Sequence, residues 1–411
     1  PKSDQSIVKF DKMTSQQYKL ATSKLKTRLF IPYQRDGVEW MLGMENQSRG
    51  PKGGFLCDEM GLGKTVQLIS TVLGNPKQST LIIVPKSIIT QWVEEINRFA
   101  PSLHVTVFDG PGRKLDLELL SSPEKCSVTI APYSLLSAKS EIHRHRWNRV
   151  ILDEAHEIRN GNSKIFKSVC LLKTEIKWIV TGTPVFNSMQ DFVSLCTFLG
   201  LSKRFVQGRT RDVKDVYILR RTKEDLSKVN ERLTLPPCTF ENVELDMFDE
   251  EKALYEFVFM QAQTIIRDAF RETINPAAKN MVILECLLRA RQCMIWPQMY
   301  LNGVAKKNET DPTVWTGRSN KMETLFRMID EHPDEKTLIF CQFKGEMNYI
   351  QSQLSCPVFR IDGTVPKDAR VGQIHSFKKF PKGAVFIIQI KCGGQGLNLQ
   401  EATRVYITAP A

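Results

Sequence analysis

The sequence lacks any long apolar run: nowhere in its 411 residues does a hydrophobic stretch approach the length needed to cross a bilayer. The first residues also lack the pattern of a secretory signal peptide. We therefore expect an intracellular chain that has no membrane partner. A hydrophobic content of 42% and a charged content of 25% are ordinary for a globular protein of two or three domains.

Cysteine pairs with metal-ligand spacing are also missing. Ten cysteines are scattered along the chain, but no two of them form a Cys-x-x-Cys motif. Several lie inside apolar, strand-like segments, as Cys341 does in the segment 338–341. This distribution is typical of buried, reduced thiols. It argues against a disulfide framework and against structural zinc.

Acidic residues are in deficit, since 45 Asp and Glu stand against 57 Lys and Arg and give a net charge of +12. Basic residues are dense from residue 203 to 232 and again from residue 143 to 146. A polyanion such as nucleic acid is the expected partner. The alternative is that these runs are solvated surface, which is the usual place for clustered charge.

A glycine-rich turn joins a short apolar run, residues 54–57, to a segment with helical apolar spacing. Glycines let backbone N–H groups point at phosphate oxygens, and the start of a helix adds partial positive charge. In such loops a lysine reaches the β- and γ-phosphates and a hydroxyl binds Mg²⁺. The pattern usually has glycine where this chain has Asp58, so the match is partial, and a plain strand-to-helix connection is the alternative. The candidate nucleotide-binding residues are Asp58, Gly61, Leu62, Gly63, Lys64 and Thr65.

Two carboxylates, Asp153 and Glu154, follow a strand-like run 89 positions after Lys64. Open α/β sheets bind ligands at the carboxyl ends of their strands. Asp153 would hold Mg²⁺ together with Thr65, and Glu154 would polarise the attacking water. Lys64, Asp153 and Glu154 are thus the candidate catalytic residues. The alternative is that the acidic pair caps a helix beginning at Ala155.

Strand-like and helix-like segments alternate in two stretches of the chain, and this alternation predicts doubly wound parallel sheets. We predict a leader segment at 1–26, a first lobe at 27–200, a basic linker with helical protrusions at 201–316, and a second lobe at 317–411. Only four strand patterns occur in the second lobe and the last one reaches the end of the sequence. We therefore expect this lobe to be truncated at its C-terminus.

Further motifs follow in a fixed order: 31–40, 84–92, 130–134, 181–184, 219–223 and 392–399. With the glycine-rich turn and the acidic pair, they resemble the Swi/Snf-type ATPases of helicase superfamily two, the double-stranded-DNA translocases of chromatin remodelling, repair and transcription. The match runs from Leu29 onward and is closest to the repair and transcription-termination branch, without its RING insertion. The resemblance implies two RecA-like lobes, a helicase ATP-binding domain and a helicase C-terminal domain, with a helical insertion between them.

The resemblance also implies ATP and Mg²⁺ as cofactors and duplex DNA as partner. Gln34 would read the adenine base, and Gly394 and Gly396 would contact the nucleotide. The residues implied to couple hydrolysis to lobe movement are Thr181, Gly182 and Thr183. Those implied to contact nucleic acid are Lys86, Ser87, Gln91, Trp92, Tyr133, Arg220, Arg221, Lys223, Gln342, Arg370 and Asn398. For Trp92 the apolar spacing of residues 88–99 favours a place in the core instead.

The implied activity is DNA-dependent ATP hydrolysis that moves a monomeric protein along duplex DNA without separating the strands. The implied place is the nucleus, or the site of viral or bacterial DNA metabolism, with protein partners directing the motor to chromatin, repair or transcription complexes. Two alternatives are an unwinding DNA or RNA helicase of the Asp-Glu-x-His type and a nucleotide-binding DNA scaffold with weak turnover. The scaffold is considered because the family has two arginine fingers and no arginine follows Arg404. One such arginine contributes about 10³-fold or more in turnover.

Overall fold

The computed structural model describes residues 12–409, except 123, 137–139, 183–187, 228–237, 272–274, 394–396 and 398. The chain divides into two compact units, Pro1–Pro237 and Cys238–Ala411. Each unit contains a parallel β-sheet with hydrophobic clusters on both faces. The expected fold class, two α/β lobes built on doubly wound parallel sheets, is confirmed.

The first unit holds a seven-stranded sheet in the order β3–β4–β2–β5–β6–β1–β7. Its strands are β1 (Lys52–Leu56), β2 (Ser79–Val84), β3 (His104–Val107), β4 (Ser127–Pro132), β5 (Arg146–Leu152), β6 (Lys173–Val180) and β7 (Ile218–Leu219). Its helices are α1 (Lys12–Lys24), α2 (Tyr33–Asn46), α3 (Lys64–Gly74), α4 (Ile89–Phe99), α5 (Leu117–Ser121), α6 (Glu141–Arg144), α7 (Lys164–Cys170), α8 (Met189–Leu199), α9 (Lys203–Gly208), α10 (Thr210–Tyr217) and α11 (Lys223–Ser227).

The central strands of this sheet are apolar without alternation because both of their faces are covered. All six residues of β2 are buried. Successive side chains of a strand point to opposite faces, so Ile82 packs into one hydrophobic cluster and Ile83 into the other. Helix α4 buries Ile89, Trp92 and Ile96 on one face, which confirms the helical face predicted for residues 88–99.

The segment expected to be a leader contains helix α1, which packs against α3. Ala21 is fully buried there, and a methyl group added to Gly74 would lie 3.2 Å from the Ala21 side chain. Strand β7 likewise lies in a segment where only helical patterns were found in the sequence. It pairs in parallel with β1, and Leu56 is opposite Leu219. Two residues are too few to produce a strand period, which explains why β7 was missed.

A buried ion pair joins α2 to β5. The Arg149 and Glu45 side chains are both fully buried, and the guanidinium donates to Glu45 Oε1 at 2.7 Å and to Oε2 at 2.5 Å. The Glu45 carboxylate also accepts hydrogen bonds from the Asn75 amide at 2.6 Å and the Trp178 indole at 2.9 Å. Each carboxylate oxygen therefore has two donors, as a buried charge requires.

The second unit begins with a helical region and ends with a four-stranded parallel sheet in the order β11–β8–β10–β9. The strands are β8 (Thr337–Cys341), β9 (Val358–Ile361), β10 (Val385–Gln389) and β11 (Arg404–Ile407). The helices are α12 (Asp249–Arg271), α13 (Pro276–Ile295), α14 (Pro297–Asn308), α15 (Asn320–Asp330), α16 (Lys344–Gln353), α17 (Lys367–Lys379) and α18 (Ile390–Gly393). The apolar residues that recur at helical spacing on α12 are only partly covered: Val258 is buried, but Phe257 and Ile265 are half exposed.

Candidate nucleotide site

The candidate site lies in the first unit, where three neighbouring strands end together. Strand β6 lies between β5 and β1, with Val180 opposite Leu56 and Ile179 opposite Leu152. The loops that leave the carboxyl ends of these strands carry the glycine-rich turn, the acidic pair and Thr181. A ligand-binding edge of this kind is the usual location for sites in open parallel sheets.

The turn after β1 has a backbone that requires glycine. Gly61 has φ +87° and Gly63 has φ +73°, both in the left-handed region that residues with a Cβ rarely adopt. A methyl group added to Gly63 would also lie 2.5 Å from the Gln34 amide nitrogen. Helix α3 begins directly after this turn, at Lys64, so its first N–H groups lie at the turn. Leu62 is buried and its carbonyl accepts a hydrogen bond from Gln34 at 3.2 Å.

Lys64 folds back over the loop that precedes it. Its ammonium donates to the Asp58 carbonyl at 2.9 Å and to the Glu59 carbonyl at 3.4 Å. Burial lowers the pKa of Lys64, while the charges of Asp153, Glu154 and Asp58 oppose this shift. A methyl group added to Gly182 would lie 3.3 Å from the Lys64 Nζ. The loops after β1, β5 and β6 therefore converge on this ammonium group.

Fixed donors orient the first acidic side chain. Asp153 Oδ2 accepts the Trp92 indole N–H at 2.8 Å, and Oδ1 accepts the Glu154 N–H at 2.9 Å. Burial raises the pKa of Asp153 to about 6, although the Trp92 hydrogen bond lowers it. The Tyr133 hydroxyl donates to the Asp153 carbonyl at 2.8 Å. Together these contacts orient Asp153 and anchor its backbone.

Glu154 has an unusual backbone, with φ +49° and ψ +48°. This left-handed conformation costs an ordinary residue about 1 kcal/mol or more and is concentrated at functional sites. The His156 Nδ1 lies 3.3 Å from Glu154 Oε2. The acidic pair, Asp153 and Glu154, does precede a short 3₁₀ helix, Ala155–Ile158. However, the Glu154 side chain makes no capping hydrogen bond to that helix.

Gln34, implied to read the base, lies beside the turn with its amide in contact with protein groups. Its Oε1 accepts the Phe30 N–H at 2.9 Å, and its Nε2 donates to the Leu62 carbonyl and to the Tyr33 hydroxyl, each at 3.2 Å. The side chain is 3% exposed. Its role in base recognition stays a prediction.

The residues implied to contact nucleic acid fall into two groups in the first unit. Lys86, Ser87 and Gln91 are exposed at the start of α4 and just before it, and Lys86 pairs with Asp109 at 3.0 Å. Trp92 and Tyr133 are instead buried, 3% and 4% exposed, and contact Asp153.

The three residues after β7 that are implied to contact nucleic acid also differ in where their side chains lie. Arg220 is exposed. Arg221 instead turns inward and donates to the Asp58 carboxylate, with Nε 2.9 Å from Oδ1. Lys223 lies over the turn: a methyl group added to Gly61 would lie 3.4 Å from its Cε.

In the second unit, Gln342 and Arg370 follow β8 and β9 and contact neighbouring protein groups. Gln342 Oε1 accepts from Arg291 at 2.6 Å. Arg370 donates to the Val365 carbonyl at 2.9 Å and the Asp362 carbonyl at 3.0 Å. Thr183, Gly394, Gly396 and Asn398 lie outside the described residues. Their roles, like those of Gln342 and Arg370, stay predictions.

One central residue of the site was not identified from the sequence. Gln67 on α3 is fully buried, and its amide bridges Asp58 and Arg221 through a 3.1 Å bond to Oδ2 and a 2.8 Å bond from the guanidinium. Its helical position resembles that of any buried residue of α3. The signal that could have revealed it is Asp58, a charged residue directly after a buried strand, which needs buried partners.

The donor set fits a magnesium ion that is shared with a nucleotide. Among the residues that the structure describes, no group of three or more His, Cys, Asp or Glu side chains could hold a metal alone. Mg²⁺ is commonly bound by one or two carboxylates together with substrate phosphates and water. The Asp153 carboxylate after β5 and the hydroxyl of Thr65, the second residue of α3, provide ligands that suit that arrangement.

Comparison with known proteins identifies the class. The description "SNF2-related domain" matches residues 33–210, and "Helicase conserved C-terminal domain" matches residues 320–411. These are the two domains of a helicase-type ATPase core. The chain therefore contains an SNF2-related domain and a helicase C-terminal domain, as the motifs had indicated.

Two similar relatives come from a bacterium and a plant. A putative ATP-dependent helicase/translocase YwqA of Bacillus subtilis is 30% identical over 410 residues, which cover 91% of this chain and 42% of that protein. A probable chromatin-remodeling complex ATPase chain of Oryza sativa is 28% identical, covering 91% and 35%. Among solved structures, the SWI2/SNF2 ATPase core of Sulfolobus solfataricus in complex with dsDNA is 28% identical, with a TM-score of 0.47, covering 94% of this chain and 82% of that one. The chain thus spans about two fifths of the length of the curated relatives it matches.

Within the described ranges, no helix combines the length and the apolar character needed to cross a membrane.

Proposed function

We propose that the protein is an ATP-dependent motor that tracks along double-stranded DNA. The observation that carries the proposal is the convergence of Lys64, Asp153 and Gly182 at the carboxyl ends of adjacent strands. This set joins a phosphate-binding turn, a buried carboxylate and a small residue that leaves room beside the lysine. The SNF2-related domain supports ATP as the nucleotide.

Each residue has a distinct task in this proposal. The backbone N–H groups of the turn and the Lys64 ammonium bind phosphate oxygens, and the Thr65 hydroxyl and Asp153 hold the magnesium ion. That ion supplies Lewis-acid polarisation of the phosphoryl oxygens. Glu154 orients the attacking water. Glu154 also has the left-handed backbone conformation that is concentrated at functional sites.

The nucleic acid is proposed to be duplex DNA, bound mainly through its phosphates. A net charge of +12 supports a polyanionic partner. Lys86 and Ser87 are exposed just after the carboxyl end of β2. The neighbouring strand in the sheet is β5, which the acidic pair follows. Relatives named as a helicase/translocase and as a chromatin-remodeling ATPase favour movement along DNA. We propose that this movement does not separate the strands.

The cellular context follows the relatives. They include plant and mammalian chromatin remodellers, a bacterial helicase/translocase and a viral transactivator. We propose a monomeric motor that acts in the nucleus or wherever viral or bacterial DNA is processed. Protein partners would direct it to chromatin, repair or transcription complexes.

The test is the steady-state ATPase rate with duplex DNA, single-stranded DNA and RNA, with Glu154→Gln as the blank. Stimulation by duplex DNA above the blank supports the motor. A rate equal to the blank while ATP still binds would favour a nucleotide-binding DNA scaffold.

A strand-displacement assay on a partial duplex separates the remaining alternative. Displacement that depends on ATP would favour an unwinding helicase of the Asp-Glu-x-His type. Displacement of a triplex-forming third strand without duplex opening is the expected result for a translocase.

A further inference from the structure

A buried ion pair links the phosphate-binding turn to a distant segment of the chain. Arg221 Nε donates to Asp58 Oδ1 at 2.9 Å, and its Nη2 donates to Oδ2. The Asp58 side chain is fully buried and that of Arg221 is 15% exposed. Two parallel hydrogen bonds between a guanidinium and a carboxylate fix both position and orientation, which a lysine could not do.

The remaining polar atoms of the pair are also satisfied. Gln67 accepts from Arg221 Nη2 at 2.8 Å and donates to Asp58 Oδ2 at 3.1 Å, while Arg221 Nη1 donates to the Tyr33 carbonyl. These groups come from α2, α3 and the loop after β1. Arg221 is therefore held by three elements that surround the nucleotide turn.

Backbone hydrogen bonds extend the contact along both segments. The Cys57 N–H donates to the Leu219 carbonyl at 2.7 Å, and the Glu59 N–H donates to the Arg221 carbonyl at 2.9 Å. The Lys223 N–H donates to Glu59 Oε2 at 2.7 Å. Residues 57–59 and 219–223 consequently run side by side.

Asp58 also lies at the position that contacts the catalytic lysine. Its carbonyl accepts the Lys64 ammonium at 2.9 Å, while its carboxylate binds Arg221. A nucleotide phosphate that draws Lys64 away from this carbonyl would act on the same residue that holds Arg221. The chain continues from Lys223 through α11 toward the second unit.

We propose that Asp58 and Arg221 form a latch between the nucleotide turn and the segment through which the chain leaves the first lobe. The latch couples occupancy of the turn to the conformation of residues 219–227. Arg221 is a positioning residue in this role and does not contact nucleic acid. The inference rests on the proposed nucleotide site.

The first experiment measures binding of a fluorescent ADP analogue with Mg²⁺ in the absence of DNA. Arg221→Gln should weaken binding by about tenfold or more, because the turn loses a charge-assisted hydrogen-bonded partner. Arg221→Lys should not restore it. The double variant Asp58→Asn with Arg221→Gln should bind no worse than Arg221→Gln alone, because the two changes disrupt one interaction. Arg211→Gln, an exposed arginine paired with Asp215 at 3.9 Å, is the control for loss of one charge.

A second measurement uses the wild-type protein and does not depend on folding of the variants. Hydrogen exchange at the Glu59 and Lys223 amides reports the contact between the two segments. Nucleotide should slow exchange at both amides if the latch responds to occupancy. Unchanged exchange at Lys223 on saturation with nucleotide would overturn the proposal.

The outcomes separate this inference from the proposed function. Wild-type protein that binds no nucleotide would overturn the proposed function and the latch with it. Wild-type binding with equal affinity in Arg221→Gln would overturn the latch alone. Arg221→Gln that loses affinity only for duplex DNA would also overturn it and would support a nucleic-acid contact.

Discussion

The indole N–H of Trp92 donates a hydrogen bond to the Asp153 Oδ2 at 2.8 Å. Trp92 lies on α4, which follows β2, and Asp153 follows β5, the neighbouring strand in the sheet. Because partners of this kind set the orientation of a metal ligand, Trp92 is expected to act through Asp153 on magnesium. Trp92 is 3% exposed, and its implied contact with nucleic acid stays a prediction.

Replacing Trp92 with phenylalanine removes the donor and keeps most of the ring. We expect Trp92→Phe to raise the Mg²⁺ concentration for half-maximal nucleotide binding by about tenfold or more, since such partners are worth about 10- to 100-fold. Trp147→Phe is the matched control: Trp147 is also buried, with one indole hydrogen bond, to the Ile142 carbonyl at 2.9 Å. An equal rise in this Mg²⁺ concentration in both variants would mean that the effect comes from lost packing and not from the hydrogen bond to Asp153.

The pKa of Asp153 predicts a pH limit for magnesium binding. Burial raises this pKa to about 6, so the carboxyl binds a proton over a range in which an ordinary aspartate is charged. Mg²⁺-dependent nucleotide affinity should therefore fall as the pH falls through about 6. The measurement is a titration between about pH 5 and about pH 8, where the group changes charge. An affinity that stays constant across this range would contradict the assignment of Asp153 as the ligand.

The same shift has a defined sign for folding of the metal-free protein. The folded pKa, about 6, lies above the ordinary pKa of an aspartate, so the protonated form is the one that folding favours. This contribution to stability is complete below the unfolded pKa and is lost as the pH rises through about 6. Asp153→Asn should remove that part of the pH dependence of the unfolding free energy.

Local patterns were enough to predict both parallel sheets, the glycine-rich turn and the acidic pair. Strands with two covered faces give continuous apolar runs, and the left-handed turn needs glycine at Gly61 and Gly63. These features depend on residues close together in the sequence. The fold class could therefore be inferred before any contact was known.

Side-chain partners across long separations could not be predicted in this way. Trp92 and Asp153 are 61 positions apart, and Arg221 and Asp58 are 163 apart. Such pairs produce no local period, and their choice depends on which strands become neighbours. The exposed apolar residues of α12 show a second limit of sequence patterns. Spacing predicts an apolar helical face, but it does not predict which part of the protein covers that face.

Gly182 is predicted to keep space free beside Lys64, the candidate catalytic lysine. A methyl group there would lie 2.7 Å from the Met60 Cγ and 3.3 Å from the Lys64 Nζ. Met60 is exposed and can move, whereas Lys64 is held by two carbonyls. Gly182→Ala should therefore lower ATP turnover by about ten- to a hundredfold, as small misplacements at an active site do.

The free energy of unfolding of Gly182→Ala distinguishes this explanation from misfolding, because a misplaced lysine lowers turnover in a variant that is still folded. Gly43→Ala on α2 is the control, since nothing lies within 4 Å of the added methyl group. That substitution should leave turnover unchanged and stabilise the helix by about 0.5–1 kcal/mol. A normal turnover in Gly182→Ala, with full nucleotide affinity, would contradict the prediction.

The buried Glu45–Arg149 pair predicts a large effect on folding without any role in chemistry. Glu45→Gln leaves the fully buried guanidinium without its counter-charge, and breaking a buried pair in this way costs about 3–5 kcal/mol. Urea unfolding followed by tryptophan fluorescence measures the loss, since the Trp178 indole donates to Glu45. The double variant Glu45→Leu with Arg149→Met should be more stable than Glu45→Gln, because it removes both charges.

A surface ion pair provides the matched control for this last prediction. Lys52 and Glu175 are 2.6 Å apart, but their side chains are 32% and 65% exposed. Glu175→Gln should change the free energy of unfolding by about 1 kcal/mol or less, because water screens the pair. If Glu45→Gln and Glu175→Gln lowered the free energy of unfolding equally, water would have to reach the Arg149 guanidinium. The cost of an unpaired buried charge would then not apply to this pair.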